Sequence, residues 1–136
     1  MMLLKEVDFR ATRRNARNVL KNYRRLERIA GRSKIDVRSP IITDMPKSPG
    51  GNKSEDAIIQ LMDAEAERDA IVSALLSLSI DSRQVLYYSF CTVDRYSNVG
   101  IARQMGYSVR TIEDYKATAL IEFAEAYRKG KLIEYC

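Results

Sequence analysis

Tyr96-Ser-Asn-Val-Gly-Ile-Ala-Arg-Gln-Met-Gly-Tyr-Ser-Val-Arg-Thr-Ile112 is the stretch whose reading decides the fold. Ser97 carries a side-chain oxygen suited to cap a short helix on which Ile101, Ala102 and Met105 face inward. Gly106 follows where a tight inter-helix turn needs positive φ without steric cost. Ser108 then caps a second helix predicted to run to about Lys129 and to stop at Gly130. Two helices, a three-residue turn, a small alanine at the crossing and a capping serine make the DNA-binding helix-turn-helix pattern, here spanning 97–129.

With Ile112 at the centre of the buried face, Ala119 and Phe123 fall beside it, and Val109 and Tyr115 flank it. Arg110 and Asp114 project oppositely, with Thr111 at the edge. The candidate DNA-binding residues are therefore Ser108, Arg110, Thr111, Asp114 and, at the rim, Lys116, with Asn98 and Arg103 holding the backbone from the preceding helix. Arg110 has the donors to pair with guanine, but most protein–DNA hydrogen bonds go to phosphate. Each of these positions is also compatible with a plain surface role. A second apolar face, Ala117, Ile121 and Ala124, is followed by Leu132, Ile133 and Tyr135. A helix apolar on two sides needs cover, either from the N-terminal helix of the same chain or from a second copy, and a homodimer is the favoured expectation.

Upstream, Phe9 to Ala30 reads as one amphipathic helix. Arg10, Arg14, Arg17, Lys21, Arg24 and Arg28 repeat at alternating steps of four and three and stack into a cationic stripe, a candidate set of phosphate contacts. A solvated outer face is the plainer alternative. Residues 1–34 hold 11 Lys/Arg against 3 Asp/Glu, whereas residues 55–94 hold 2 against 8, so the basic end suits a polyanion. All three prolines and several glycines cluster between Gly31 and Lys53, which reads as a linker. Ser54 is the expected cap of a long helix to about Ser79, and Asp81 with Gln84 has capping-box spacing for the next. Strand patterns are weak. The expected organisation is all-α: a basic N-terminal amphipathic helical arm at 1–34, a flexible Pro/Gly-rich linker at 35–54, and a helical domain at 55–136.

Composition narrows the chemistry. Histidine is absent, and Cys91 and Cys136 are the only cysteines, so structural zinc sites and nucleophile–histidine pairs are not available. The carboxylates are scattered and no Gly-rich phosphate loop follows a strand, so an enzyme is not expected, and neither a cofactor nor a metal is expected. Cys91 reads as buried and Cys136 as exposed. No apolar run approaches the roughly 20 residues of a membrane span, and Met1 to Asp8 is too short and mixed for a signal peptide, which predicts a cytoplasmic protein in a bacterial host cell.

Ile101-Ala102-Arg103-Gln104-Met105-Gly106-Tyr107-Ser108 with Thr111-Ile112 resembles region four of bacterial sigma factors. Gly106-Tyr107-Ser108, Arg110-Thr111, Tyr115-Lys116, Ala119-Leu120 and Phe123-Ala124-Glu125-Ala126, with Ile42-Thr43-Asp44-Met45-Pro46 upstream, look like the ArpU-type late-gene transcriptional regulators of phages of Gram-positive bacteria. The resemblance covers roughly Ile41 to Tyr127 and implies a sequence-specific, double-stranded-DNA-binding regulator of late phage or prophage genes. Glu113 and Asp114 depart from the pattern, standing where the resemblance implies aromatic or basic residues. Carboxylates repel phosphate, although an acid can accept from a cytosine amino group. Two other functions stay open: a sigma-like module that docks on host RNA polymerase, and a DNA-packaging recognition subunit of the small terminase kind.

Overall fold

The computed structural model describes residues 5–38 and 51–136, with side chains described for 5–31 and 55–136. The helices are α1 (Phe9–Leu20), α2 (Tyr23–Arg38), α3 (Gly51–Leu76), α4 (Ile80–Leu86), α5 (Asn98–Met105) and α6 (Val109–Ala126). A π turn, Tyr87–Cys91, extends α4, and a 3₁₀ turn, Tyr127–Gly130, ends α6. Among the described residues there is no strand, only an isolated antiparallel bridge between Val7 and Tyr135. The fold is all-α. It divides into two compact units, one formed by residues up to Arg24 with Ala70–Cys136, the other by Arg25–Asp69.

The first unit is built around α6. Ile112, Ala119, Phe123 and Ala124 are fully buried, and α1, α4 and α5 each pack against this helix. Val85, Ile101, Ala102 and Ile112 form a core cluster, with Tyr88, Tyr96, Met105 and Tyr115 around it. A side chain the size of Ile112 contributes about 1.5–3 kcal/mol by leaving water, so this cluster fixes α5 on the start of α6. Arg83 stops α3 without a glycine: its guanidinium donates to the carbonyls of Leu75, Leu76 and Leu78, each at 3.3 Å.

Asp8 caps α1 by accepting from the Ala11 amide at 3.1 Å, and Ala11, Thr12, Ala16 and Leu20 are buried. Small residues on this face let α1 lie close along α6. The C-terminal tail holds it there: the Asp8 amide donates to the Glu134 carbonyl at 2.8 Å, the Glu134 amide donates to Thr12 Oγ1 at 3.0 Å, and Asn15 Nδ2 donates to the Leu132 carbonyl at 3.0 Å. α1 is thus packed on α6 and tied to the tail. It covers part of the second apolar face of α6, where Ala124 is buried and Ala117 and Ile121 are half-buried.

In the second unit the helices outrun the linker read from the sequence. The first helical run breaks at Lys21–Asn22, where the Asn22 amide reaches the Val19 carbonyl at 3.1 Å in a tightened turn. α2 passes through Gly31, which costs about 1 kcal/mol in a helix but does not forbid one, and ends at Arg38, two residues before Pro40. α3 begins at Gly51 rather than after Ser54. Pro40, Pro46, Pro49 and Ile42-Thr43-Asp44-Met45-Pro46 lie outside the described residues. Ala64 is buried on α3, whereas Ile58, Ile59 and Met62 are exposed. Two further boundaries differ. α3 ends at Leu76, and Ser79, not Asp81, caps α4 by accepting from the Ser82 amide at 3.3 Å.

Candidate nucleic-acid interface

The start of α6 is set by local chemistry. Ser97 Oγ accepts from the Gly100 amide at 3.1 Å and opens α5, which ends at Gly106 with φ 78°. That conformation suits glycine and turns the chain within three residues into Ser108. Ser108 Oγ accepts from the Thr111 amide at 3.1 Å and donates to Thr111 Oγ1 at 2.9 Å. Its hydroxyl is therefore committed to capping, so Ser108 positions the helix start, and Thr111 is half-buried beside it. The turn is braced by Tyr107, which stacks edge-on with Tyr115 at 5.2 Å and donates to Asp81 Oδ2 at 3.4 Å. The Asp81 carboxylate, followed by Tyr115, pushes the Tyr107 phenol up from its ordinary pKa.

Arg103, Arg110, Glu113 and Asp114 are exposed and make no hydrogen bond or ion pair among the described residues. Arg110 and Asp114 thus face solvent together at the mouth of α6, as their helical spacing requires. Lys116 lies to the side of this exposed face. It is half-buried, with Nζ donating to Asn98 Oδ1 at 3.2 Å and lying 5.7 Å from the centre of the Phe90 ring. Burial, reinforced by the positive charge of Arg17, lowers its pKa. Asn98 is half-buried, with Oδ1 accepting this bond.

The six-residue cationic stripe is divided by the break at Lys21–Asn22. Arg10, Arg14 and Lys21 are exposed on or just after α1, and Arg17 is half-buried. Arg24 is half-buried on α2 and has a partner, and Arg28 is exposed in the other unit. Arg13, outside the stripe, was not singled out by the sequence. It joins Arg17, Asn98, Glu113 and Lys116 around a cleft of about 260 Å³ floored by Ala117 and Leu120. A wheel of α1 alone would have grouped Arg13 with Arg17, but only the docking on α6 brings them to Lys116. Cys91 is buried and Cys136 exposed. No group of three or more metal-ligating side chains comes together among the described residues.

The described residues make an all-helical protein with an exposed, charge-bearing helix start beside a cationic helix, and none of its described helices is long and apolar enough to cross a membrane. The chain belongs to the ArpU family. It is 67% identical over 136 residues, 99% of each chain, to a protein of Enterococcus hirae named "Putative autolysin regulatory protein ArpU". It is 30% identical over 135 residues to a protein of the same name from Streptococcus phage O1205, covering 97% of this chain and 98% of that one. The family is thus one of proteins named as regulatory, with a phage member. No family model matches the chain, and no solved structure matches it significantly.

Proposed function

We propose that the chain is a sequence-specific, DNA-binding transcription regulator of phage or prophage late genes, with α5 and α6 acting as a sigma-like helix-turn-helix and α6 as the reading helix. The observation that carries this reading is the capped start of α6, where Arg110 and Asp114 stand exposed and unpaired while Ile112 is fully buried one turn inside. A helix so presented can enter a major groove with its first turns against base edges. The names of the E. hirae and phage relatives support a regulatory role. Arg10, Arg14 and Lys21 add exposed cations that can neutralise phosphates without reading sequence. A second copy is not required by this reading, since α1 already covers part of the apolar face of α6.

Fluorescence anisotropy on promoter duplexes across a salt series tests it. The expected result is a steep fall in affinity, with a log–log slope of about −0.9 per phosphate contact, and tighter binding to one duplex than to scrambled DNA. A flat salt response with no preference overturns it. The exposed carboxylates Glu113 and Asp114 favour one alternative, in which α6 docks on a basic surface of host RNA polymerase; polymerase binding without DNA binding would establish that instead.

A further inference from the structure

We propose that Arg13 and Arg17 of α1, together with Lys116 of α6, form a seat for a single DNA backbone phosphate at the flank of the reading helix. This rests on the DNA-binding reading above and adds a residue set to it. The cleft between the two helices is lined by three cations against one carboxylate, Glu113. Arg13, Arg17 and Glu113 make no hydrogen bond or ion pair among the described residues. Like charges gathered in a concave site are mutually unfavourable, and an anion placed between them reverses the sign of the interaction. Burial lowers the pKa of Lys116, and the positive charge of Arg17 lowers it further.

The donor chemistry suits a phosphodiester. Each guanidinium offers a planar fork that pairs with two phosphate oxygens, and Lys116 supplies a compact charge, already oriented by Asn98, with two further protons to donate. A volume of about 260 Å³ accommodates a phosphate with some of its water and leaves no room for a stacked base pair. The surroundings favour DNA over a free anion. At 100° per residue, Arg10, Arg13, Arg14, Arg17 and Lys21 fall within an arc of about 100° on α1, so the cleft opens onto a cationic track. On the other side, Glu113 and Ala117 adjoin the face that carries Arg110. A strand whose bases meet Arg110 would run its backbone across the cleft mouth and along this track.

The test is the salt dependence of DNA binding by the full chain carrying R13Q and R17Q together, with K116M as a separate variant that keeps the buried stem. Because one shared phosphate contributes about 0.9 in all, the double variant should show a log–log slope shallower by up to about 0.9 and K116M one shallower by part of that, equally for all duplexes, with the ratio of specific to scrambled affinity unchanged. A loss of about 1.8 in the double variant would mean separate phosphates and overturn the shared seat. Wild-type slopes in variants that still bind DNA would overturn the seat and leave the function standing. Failure of the wild type itself to bind any duplex would overturn both. Helical circular dichroism identifies a misfolded double variant, in which case K116M alone decides.

Discussion

The exposed start of α6 and the exposed side of α1 carry charge in opposite ways. At α6, one cation, Arg110, stands with two carboxylates, Glu113 and Asp114, on a helix fixed by a tight core. On α1 four cations, joined by Lys21 just after it, share an arc with no acid among them, and the helix is held by small residues and by hydrogen bonds to the tail. A one-signed surface attracts any polyanion and cannot discriminate, whereas a mixed one sacrifices attraction and can select through the groups it repels. On the DNA-binding reading proposed above, the two regions would divide the work, α1 supplying affinity and the start of α6 choice.

The largest effect comes from removing what holds α6 in place. Ile112→Ala in the fully buried cluster should cost about 2–5 kcal/mol of stability and lower the melting temperature, because neighbours drawn from α4 and α5 cannot all collapse into the void. A loss below 1 kcal/mol in chemical denaturation would mean that the start of α6 does not depend on that core. Next in size, Arg110→Ala should weaken binding to the preferred duplex by about 1–3 kcal/mol and scrambled DNA by much less. Asp114→Asn should strengthen binding to every duplex and narrow the preference. If both variants shift all duplexes equally, the division between affinity and choice is wrong.

The smallest effect is a pH dependence. Folded Lys116 loses its proton below the ordinary value of 10.5, so between its lowered pKa and 10.5 the unfolded chain binds a proton that the folded chain does not. Stability contributed by this site therefore rises with pH across that interval. Tyr107 is raised by Asp81 and works in the opposite sense, so comparison with K116M isolates the lysine. Denaturation of both proteins at pH 8 and pH 10.5 should show the wild type gaining on the variant at the higher pH.

What was legible in the sequence was what local chemistry controls. The caps at Ser97 and Ser108, the left-handed Gly106 and the buried row of Ile112, Ala119 and Phe123 each follow from one residue type at one spacing. The exposed Arg110 and Asp114 follow from the same periodicity, and the buried Cys91 from the usual burial of a free cysteine. Features made by partners distant in sequence were not legible. Nothing in the residues from Arg10 to Arg28 announces the break at Lys21–Asn22, which coincides with Arg95 donating to the Lys21 carbonyl at 3.4 Å. Arg83 ends α3 from eight residues away, and Lys116 turns inward because Asn98 and Phe90 wait there. Arg128 and Lys129, with φ of 45° and 61°, adopt a conformation that glycine would be expected to mark, so the 3₁₀ ending of α6 lacked its usual sign.

The bonds between α1 and the tail also set an order of events in folding. Thr12 and Glu134 are 122 residues apart, whereas Lys116 and Asn98 are 18 apart. Closing the longer loop costs roughly 2 kcal/mol more in chain entropy. The α5–α6 pair can therefore assemble while α1 still lacks the tail that holds it. The capped start of α6 would then be in place before the tail ties α1 down.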